Sequence, residues 1–377
     1  MPKKDWMVKE SDLEKDDIQY QVLKGMNDKS AIVTGCAGSG KSVLALIKAQ
    51  RIQKEKGGDY QIIVYTKSLC NYMNSGRKEL GLSKPFSYYE DWKYIRESKT
   101  YANGMTYKVY KRDEYGNKIP KSPLPIADYT IVDEIQDFTK EEIGEFISAT
   151  RKYFYFFGDT AQSVFKGLKD TLPVEDILYE FPEQRRQKTK VFPLYNNYRL
   201  PLPVAKLAQQ IGEDLPPFNE SVYKSSIRQK PYLIEFSSID EQVDFIVSTI
   251  KKREFKDVAI LMPDNSSAKN LSSLLKGKLN HEVKYTDPDT KRFIDTLNFD
   301  TELPKLTTYH SAKGLQFEAV FTPMLPTEIR YPSTLYVAMT RTYHYLYMMY
   351  SSDLPNLLED VPEDYYLTTT EDNIDDL

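Results

Sequence analysis

Cysteine is almost missing from this chain of 377 residues: Cys36 and Cys70 are the only two. Two thiols exclude a disulfide framework and a cysteine-based zinc cluster, and they point to a reducing, cytoplasmic setting. No apolar run approaches the length that crosses a bilayer. The start, Met1-Pro2-Lys3-Lys4-Asp5, lacks the apolar core of a secretion signal. A basic excess is missing too. The net charge is −4, so a nucleic-acid surface would have to be a local groove and not a whole-molecule field. What remains is ordinary: 40% hydrophobic and 28% charged residues, in a length that accommodates two or three domains. The 29 tyrosines lie mostly in apolar strand-like runs and read as core and boundary residues.

The strongest signal is Gly35-Cys36-Ala37-Gly38-Ser39-Gly40-Lys41-Ser42. It follows the apolar run Ala31-Ile32-Val33 and precedes the helix-like Val43-Leu44-Ala45-Leu46-Ile47. A strand, a glycine-rich turn and a helix start in that order cradle phosphate. Gly35, Gly38, Ser39 and Gly40 let backbone N–H groups curl around it, and the helix opening at Val43 adds a favourable dipole. Lys41 would reach the β and γ oxygens and the Ser42 hydroxyl would ligate Mg²⁺, which makes ATP with Mg²⁺ the expected ligand.

The site continues along the chain. Tyr129-Thr130-Ile131-Val132 reads as a buried parallel strand that ends in Asp133-Glu134. Carboxylates at a strand's C-terminal end sit where such sheets present their ligands. Asp133 is the expected metal ligand, and Glu134 the base that deprotonates the attacking water. A third apolar strand, Tyr153-Phe154-Tyr155-Phe156-Phe157, leads to Gly158-Asp159-Thr160-Ala161-Gln162-Ser163, where Gln162 would sense the γ-phosphate by hydrogen bonding.

These motifs, with those that follow, resemble the UvrD/Rep-type superfamily 1 helicases. Asn196-Asn197-Tyr198-Arg199-Leu200-Pro201 resembles that family's asparagine-tyrosine-arginine motif. Thr308-Tyr309-His310-Ser311-Ala312-Lys313-Gly314-Leu315-Gln316-Phe317-Glu318 resembles the motif that touches both DNA and nucleotide. Leu335-Tyr336-Val337-Ala338-Met339-Thr340-Arg341-Thr342 resembles the motif that carries an arginine finger. Near the start, Asp17-Ile18-Gln19-Tyr20-Gln21-Val22-Leu23 resembles the adenine-reading segment, through Gln19 or, by the other spacing, Gln21.

The resemblance implies an α/β fold of two RecA-like P-loop NTPase domains with parallel sheets and ATP in the cleft between them. Lys41, Ser42, Asp133, Glu134 and Gln162 would come from the first domain, and the catalytic Arg199 and Arg341 from the other. Arginine suits that role because its charge is permanent and its fork matches phosphate oxygens; the other reading of either is a surface salt bridge. Tyr198 would stack on adenine, and Gln316 stands where the family has a glutamate near the sugar. Thr66, Lys67, Ser68, Phe165 and His310 are the implied nucleic-acid contacts.

The later half reads as alternating strands and helices, with strands at 231–236, 257–262, 305–309, 319–322 and 345–349 and helices at 240–253, 266–279 and 333–342. The expected domains are 1–194, with a small insert at about 85–126, and 195–356, followed by an acidic, disordered tail at 357–377. The intervals between motifs leave no room for the family's two large insertions. Within the first, Thr106 to Ser122 suggests a hairpin turning at Gly116-Asn117, with Lys108, Lys111, Arg112, Lys118 and Lys121 either touching phosphate or solvating a loop.

The expected function is an ATP-driven translocase or helicase on single-stranded DNA, 3′-to-5′ by resemblance, with no membrane contact. The compact form suits the motor subunit of a complex with a nuclease or other effector in DNA processing or phage defence. An RNA substrate, or an ATP switch that gates a protein partner without translocation, fits the same residues.

Overall fold

A computed structural model describes residues 10, 13, 18–56, 58–77, 79–100, 106–160, 170–181, 183, 187–213, 215, 217–286, 293–295, 297–330 and 332–368. The chain is α/β, with two large, mainly parallel sheets flanked by helices. In the earlier lobe, α1 (Ile18–Gly25) leads to β1 (Ser30–Gly35), α2 (Lys41–Lys56), β2 (Tyr60–Val64) and α3 (Lys67–Gly76). β3 (Phe86–Tyr88), α4 (Tyr89–Lys93), β4 (Arg96–Thr100) and β5 (Thr106–Tyr110) follow. β6 (Ala127–Val132), α5 (Lys140–Ser148), β7 (Thr150–Gly158) and β8 (Thr189–Leu194) complete the lobe. Its sheet runs β3-β2-β6-β7-β1-β8, and every pairing is parallel. The apolar runs of β1, β6 and β7 form its centre because helices cover both faces, which removes the need for polar alternation.

The later lobe begins with α6 (Leu202–Ile211), then β9 (Tyr232–Glu235), α7 (Ile239–Arg253), β10 (Val258–Met262) and α8 (Asn265–Leu275). Ser238 and Asp264 cap α7 and α8, accepting from Glu241 N at 3.3 Å and Ser267 N at 2.8 Å. β11 (Glu282–Thr286), β12 (Phe293–Asp295), β13 (Lys305–Thr308), β14 (Phe317–Thr322), α9 (Pro332–Met339) and β15 (Thr342–Tyr350) complete it. The order is β12-β11-β13-β10-β14-β15-β9, parallel except for the β12 edge. One apolar cluster extends from α2 and α3 through Leu200, Val204 and Leu207 to Leu335 and Met339, so the two lobes share a core.

The structure corrects several expectations. The helix expected to 342 stops at Met339, and Thr340 and Arg341 form a turn before β15. β3, β8, β11 and β12 were not legible, being short or polar: β8 reads Thr-Lys-Val-Phe-Pro-Leu. The insert is smaller than 85–126. β3 belongs to the main sheet, and Tyr89 and Trp92 of α4 are buried in the core beneath it. The insert closes where Tyr94 bridges Pro120 and Lys121 N donates to Lys93 O at 2.8 Å. Its main pairing is β4 with β5, while the turn at Gly116 (φ +84°) joins Arg112 to Lys118. The stretch from 357 does not begin a loose tail. Leu358 is fully buried and Leu367 bridges Tyr232, while 369–377 lie outside the described residues. Among the described residues, no helix is long and apolar enough to cross a membrane.

The second sheet is pinned by a ring stack in which Tyr347 lies between Tyr232 at 4.9 Å and Phe321 at 4.7 Å. Phe321 is wholly buried. Phe321→Ala is expected to cost about 3–5 kcal/mol through lost transfer energy and the cavity left behind, read as a lower urea midpoint at unchanged slope.

Candidate nucleotide and nucleic-acid site

The loop from Gly35 to Ser42 joins β1 to α2 at the C-terminal edge of the first sheet. Gly38 (φ +79°) and Gly40 (φ +89°) take left-handed conformations, and a Cβ on Gly38 would collide with the side-chain amide of Asn197. Lys41 Nζ donates to Gly35 O at 2.6 Å and Cys36 O at 2.9 Å, and lies 4.0 Å from Asp159. Gln19 is buried and donates to Ser39 O at 2.7 Å, whereas Gln21 is exposed, so Gln19 is the glutamine at the loop. Val43 packs half-buried against the core.

The acidic pair follows β6. The Ser42 hydroxyl donates to Asp133 Oδ2 at 2.6 Å, and Asp133 Oδ1 accepts from Glu134 N at 3.0 Å. That bond helps hold Glu134 in a left-handed conformation (φ +57°) that a non-glycine residue adopts at a cost of about 1–3 kcal/mol. Burial, and then the neighbouring Glu134 carboxylate, raise the Asp133 carboxyl. Burial also pulls Glu134 upward, but Lys313, Lys41 and Arg341 outweigh it and hold that carboxyl below its ordinary value. Gln136 bridges two strand ends, donating to Glu134 Oε2 and accepting from Asp159 N at 3.0 Å.

The later half closes over this edge. Asn197 donates to Ala37 O, and Tyr198 N donates to Gly38 O at 3.0 Å, so the 197–199 segment lies directly on the phosphate loop. Tyr198 is 36% exposed beside the loop. Arg199 Nη2 donates to Thr340 O at 2.9 Å, and Arg341, 2% exposed, donates from Nε to Val337 O at 2.8 Å. Burial, then each other's proximity, disfavours the charge on Arg199; burial does the same to Arg341, with Glu134 opposing it. Arg199 Nε and Ser39 Oγ are buried polar atoms without a hydrogen-bond partner. Orphan donors beside a glycine cradle are what a polyphosphate would satisfy, so the residues present fit that ligand.

Residues 306–349 match the family described as UvrD-like helicase C-terminal domain. The matched stretch runs from β13 to β15 and includes His310, Lys313 and Arg341. Among solved structures, the chain is similar to the C-terminal domain of a possible DNA helicase from Lactobacillus plantarum WCFS1, at 18% identity and a TM-score of 0.35, over 46% of this chain and 99% of that one. It is also similar to an arterivirus helicase, nonstructural protein 10, at 15% identity and a TM-score of 0.43, over 91% of this chain and 63% of that one. No curated protein matches.

The expected nucleic-acid residues divide. Thr66 is buried and caps α3, its hydroxyl accepting from Leu69 N at 3.1 Å. Ser68 is also buried and accepts from Lys284 Nζ of β11 at 2.6 Å, so its hydroxyl faces the other lobe and not solvent. Lys67 and His310 are exposed. The 308–315 loop lies on α3, since a Cβ on Gly314 (φ +78°) would meet Leu69 at 2.7 Å. Of the five basic residues expected at phosphate between 106 and 122, Lys118 pairs with Glu90, Lys121 donates to Asp91 O and Arg112 to Gly116 O; Lys108, Lys111 and Arg112 are exposed. Gln316 is half-buried ahead of β14. Gln162 and Phe165 lie outside the described residues.

The residues that reasoning from sequence passed over are Asp137 and Lys313, both within motifs already recognised. Lys313, 1% exposed, donates to the fully buried Asp137 at 2.7 Å and lies 3.9 Å from Glu134. The available signal was only their place within motifs already quoted, Asp133-Glu134-Ile135-Gln136-Asp137 and 308–318. Lys313→Met is expected to destabilise by about 3–5 kcal/mol because it strands a buried carboxylate, whereas Lys313→Met with Asp137→Leu should regain most of that, both read by urea unfolding.

Proposed function

We propose that this protein is an ATP-driven translocase or helicase of the UvrD type acting on single-stranded DNA, moving 3′-to-5′ by resemblance. We place it as the motor subunit of a larger DNA-processing or phage-defence assembly. The observation that carries the reading is the convergence on Glu134 of charged groups from both lobes: Lys41 from the phosphate loop, and Lys313 and Arg341 from the later half. A nucleotide-binding turn that only bound phosphate would not need buried cations from a second lobe. The match of residues 306–349 to the UvrD-like helicase C-terminal domain supports the helicase part of the reading.

In this reading Lys41 leaves the carbonyls of Gly35 and Cys36 for the β and γ oxygens, and the loop N–H groups hold the β-phosphate. Gln19 and Tyr198 hold the base. Glu134, kept ionised by the surrounding cations, takes a proton from the attacking water. Arg199 and Arg341 stabilise the charge that develops, a role worth roughly 10³–10⁵ in rate in other phosphoryl transfers. Ser42 and Asp133 would hold Mg²⁺, which supplies charge neutralisation across the phosphates. Lys67 and His310 would meet the strand at the seam where the 308–315 loop rests on α3. Gln162 and Phe165 keep their proposed roles as γ-phosphate sensor and stacking residue.

MgATP turnover tests this. A single-stranded deoxyoligonucleotide should raise it many-fold, and Glu134→Gln should lower it by roughly 10²-fold or more while retaining ATP binding. Stimulation by RNA but not DNA would reassign the track. Turnover indifferent to both, and raised only by a protein partner, would replace the motor with a switch.

A further inference from the structure

We propose that Thr340 is a positioning residue that sets the pose of both catalytic-site arginines. The inference rests on the reading of Arg199 and Arg341 as the groups that meet the triphosphate. Thr340 follows the last residue of α9 and is fully buried. Its hydroxyl accepts from Arg341 Nη2 at 3.0 Å and donates to Val337 O at 3.1 Å. Its carbonyl accepts from Arg199 Nη2 at 2.9 Å. One residue therefore holds a guanidinium on each of its two polar groups, and Val337 O, which receives the Thr340 hydroxyl, also receives Arg341 Nε at 2.8 Å.

The chemistry requires such a clamp. Arg199 is half-buried and Arg341 fully buried, both bonded to Thr340, and the Arg341 charge, after burial, disfavours the charge on Arg199. Long side chains with roughly 2 kcal/mol of rotamer entropy would otherwise spread over several poses. Threonine fixes its hydroxyl through a stiff, branched χ1. The backbone turn that ends α9, with Thr340 N on Tyr336 O at 3.0 Å and Arg341 N on Ala338 O at 3.1 Å, fixes its carbonyl. A valine would keep the shape and lose the hydroxyl. A serine would keep the hydroxyl and lose the methyl.

The experiment measures kcat and KM for MgATP, with and without a saturating single-stranded deoxyoligonucleotide, together with melting temperature. Thr340→Val should lower kcat by about 10- to 100-fold with KM within about twofold, because a misplacement near 1 Å costs that much. Thr340→Ser should recover to within about threefold, and Thr340→Ala, a second variant without the hydroxyl, should match valine. In an Arg341→Ala background, Thr340→Val should add less than about twofold, since the guanidinium that the hydroxyl orients is gone and valine keeps the carbonyl that holds Arg199. Wild-type kcat in the valine and alanine variants, or the same loss in both backgrounds, would overturn the proposal and leave the proposed function standing. Intact turnover in Arg341→Ala alone would instead overturn the functional reading on which it rests.

Discussion

A carboxylate buried without compensation costs several kcal/mol, and Glu134 is almost wholly buried. It stays in its ionised range because Lys313, Lys41 and Arg341 surround it. Two of those three cations belong to the later lobe, so the charge state of the proposed base and the relative placement of the lobes are one quantity. A displacement that withdrew Lys313 and Arg341 would leave the Glu134 carboxyl facing burial with Lys41 as its remaining strong partner. It would also strand Asp137, which is fully buried against Lys313. The lobes are held together by that electrostatic demand as well as by the shared apolar cluster that crosses between them.

The same constraint explains the local strain. Glu134 sits in a left-handed conformation two residues past the end of β6, where a glycine would have been unstrained. The bend turns its side chain towards Gln136, Lys313 and the phosphate loop, away from the direction that the strand pleat would have dictated. Bonds from Asp133 Oδ1 to Glu134 N, and from Gln136 to both Glu134 and Asp159, lock the bend to the neighbouring strand end. A strained carboxylate held by Gln136 and Lys313 at a strand terminus is pre-organised, which suits the role of base proposed for it.

Much of the molecule was legible from residues alone, for identifiable reasons. β1, β6, β7, β10 and β14 are apolar runs because both faces of their sheets are covered, and such runs stand out. The phosphate loop was legible because its glycines have no other local use. β8 and β12 were not, since edge strands carry mixed residues and gain their form from a neighbour's hydrogen bonds. The end of α9 was misjudged by three residues because Thr340 and Arg341 continue the helical pattern while their bonds are spent on each other and on Arg199. Ser68, expected to face a nucleic acid, is turned inward by Lys284 from the other sheet, a contact separated by 216 positions.

What local order determined by itself is the glycine-rich turn between a strand and a helix and the acidic pair at the end of a second apolar strand, each marked by its residue types at short spacing; Arg199 and Arg341 were singled out only through the family resemblance. What only the tertiary structure decided is the pairing of distant groups, Lys313 with Asp137, Asn197 with the loop carbonyl of Ala37, and Arg199 with Thr340. The physical reason is that a hydrogen bond or ion pair across lobes leaves no periodic trace along the chain. It depends on where two separately folded sheets come to rest, and packing of the shared core sets that position.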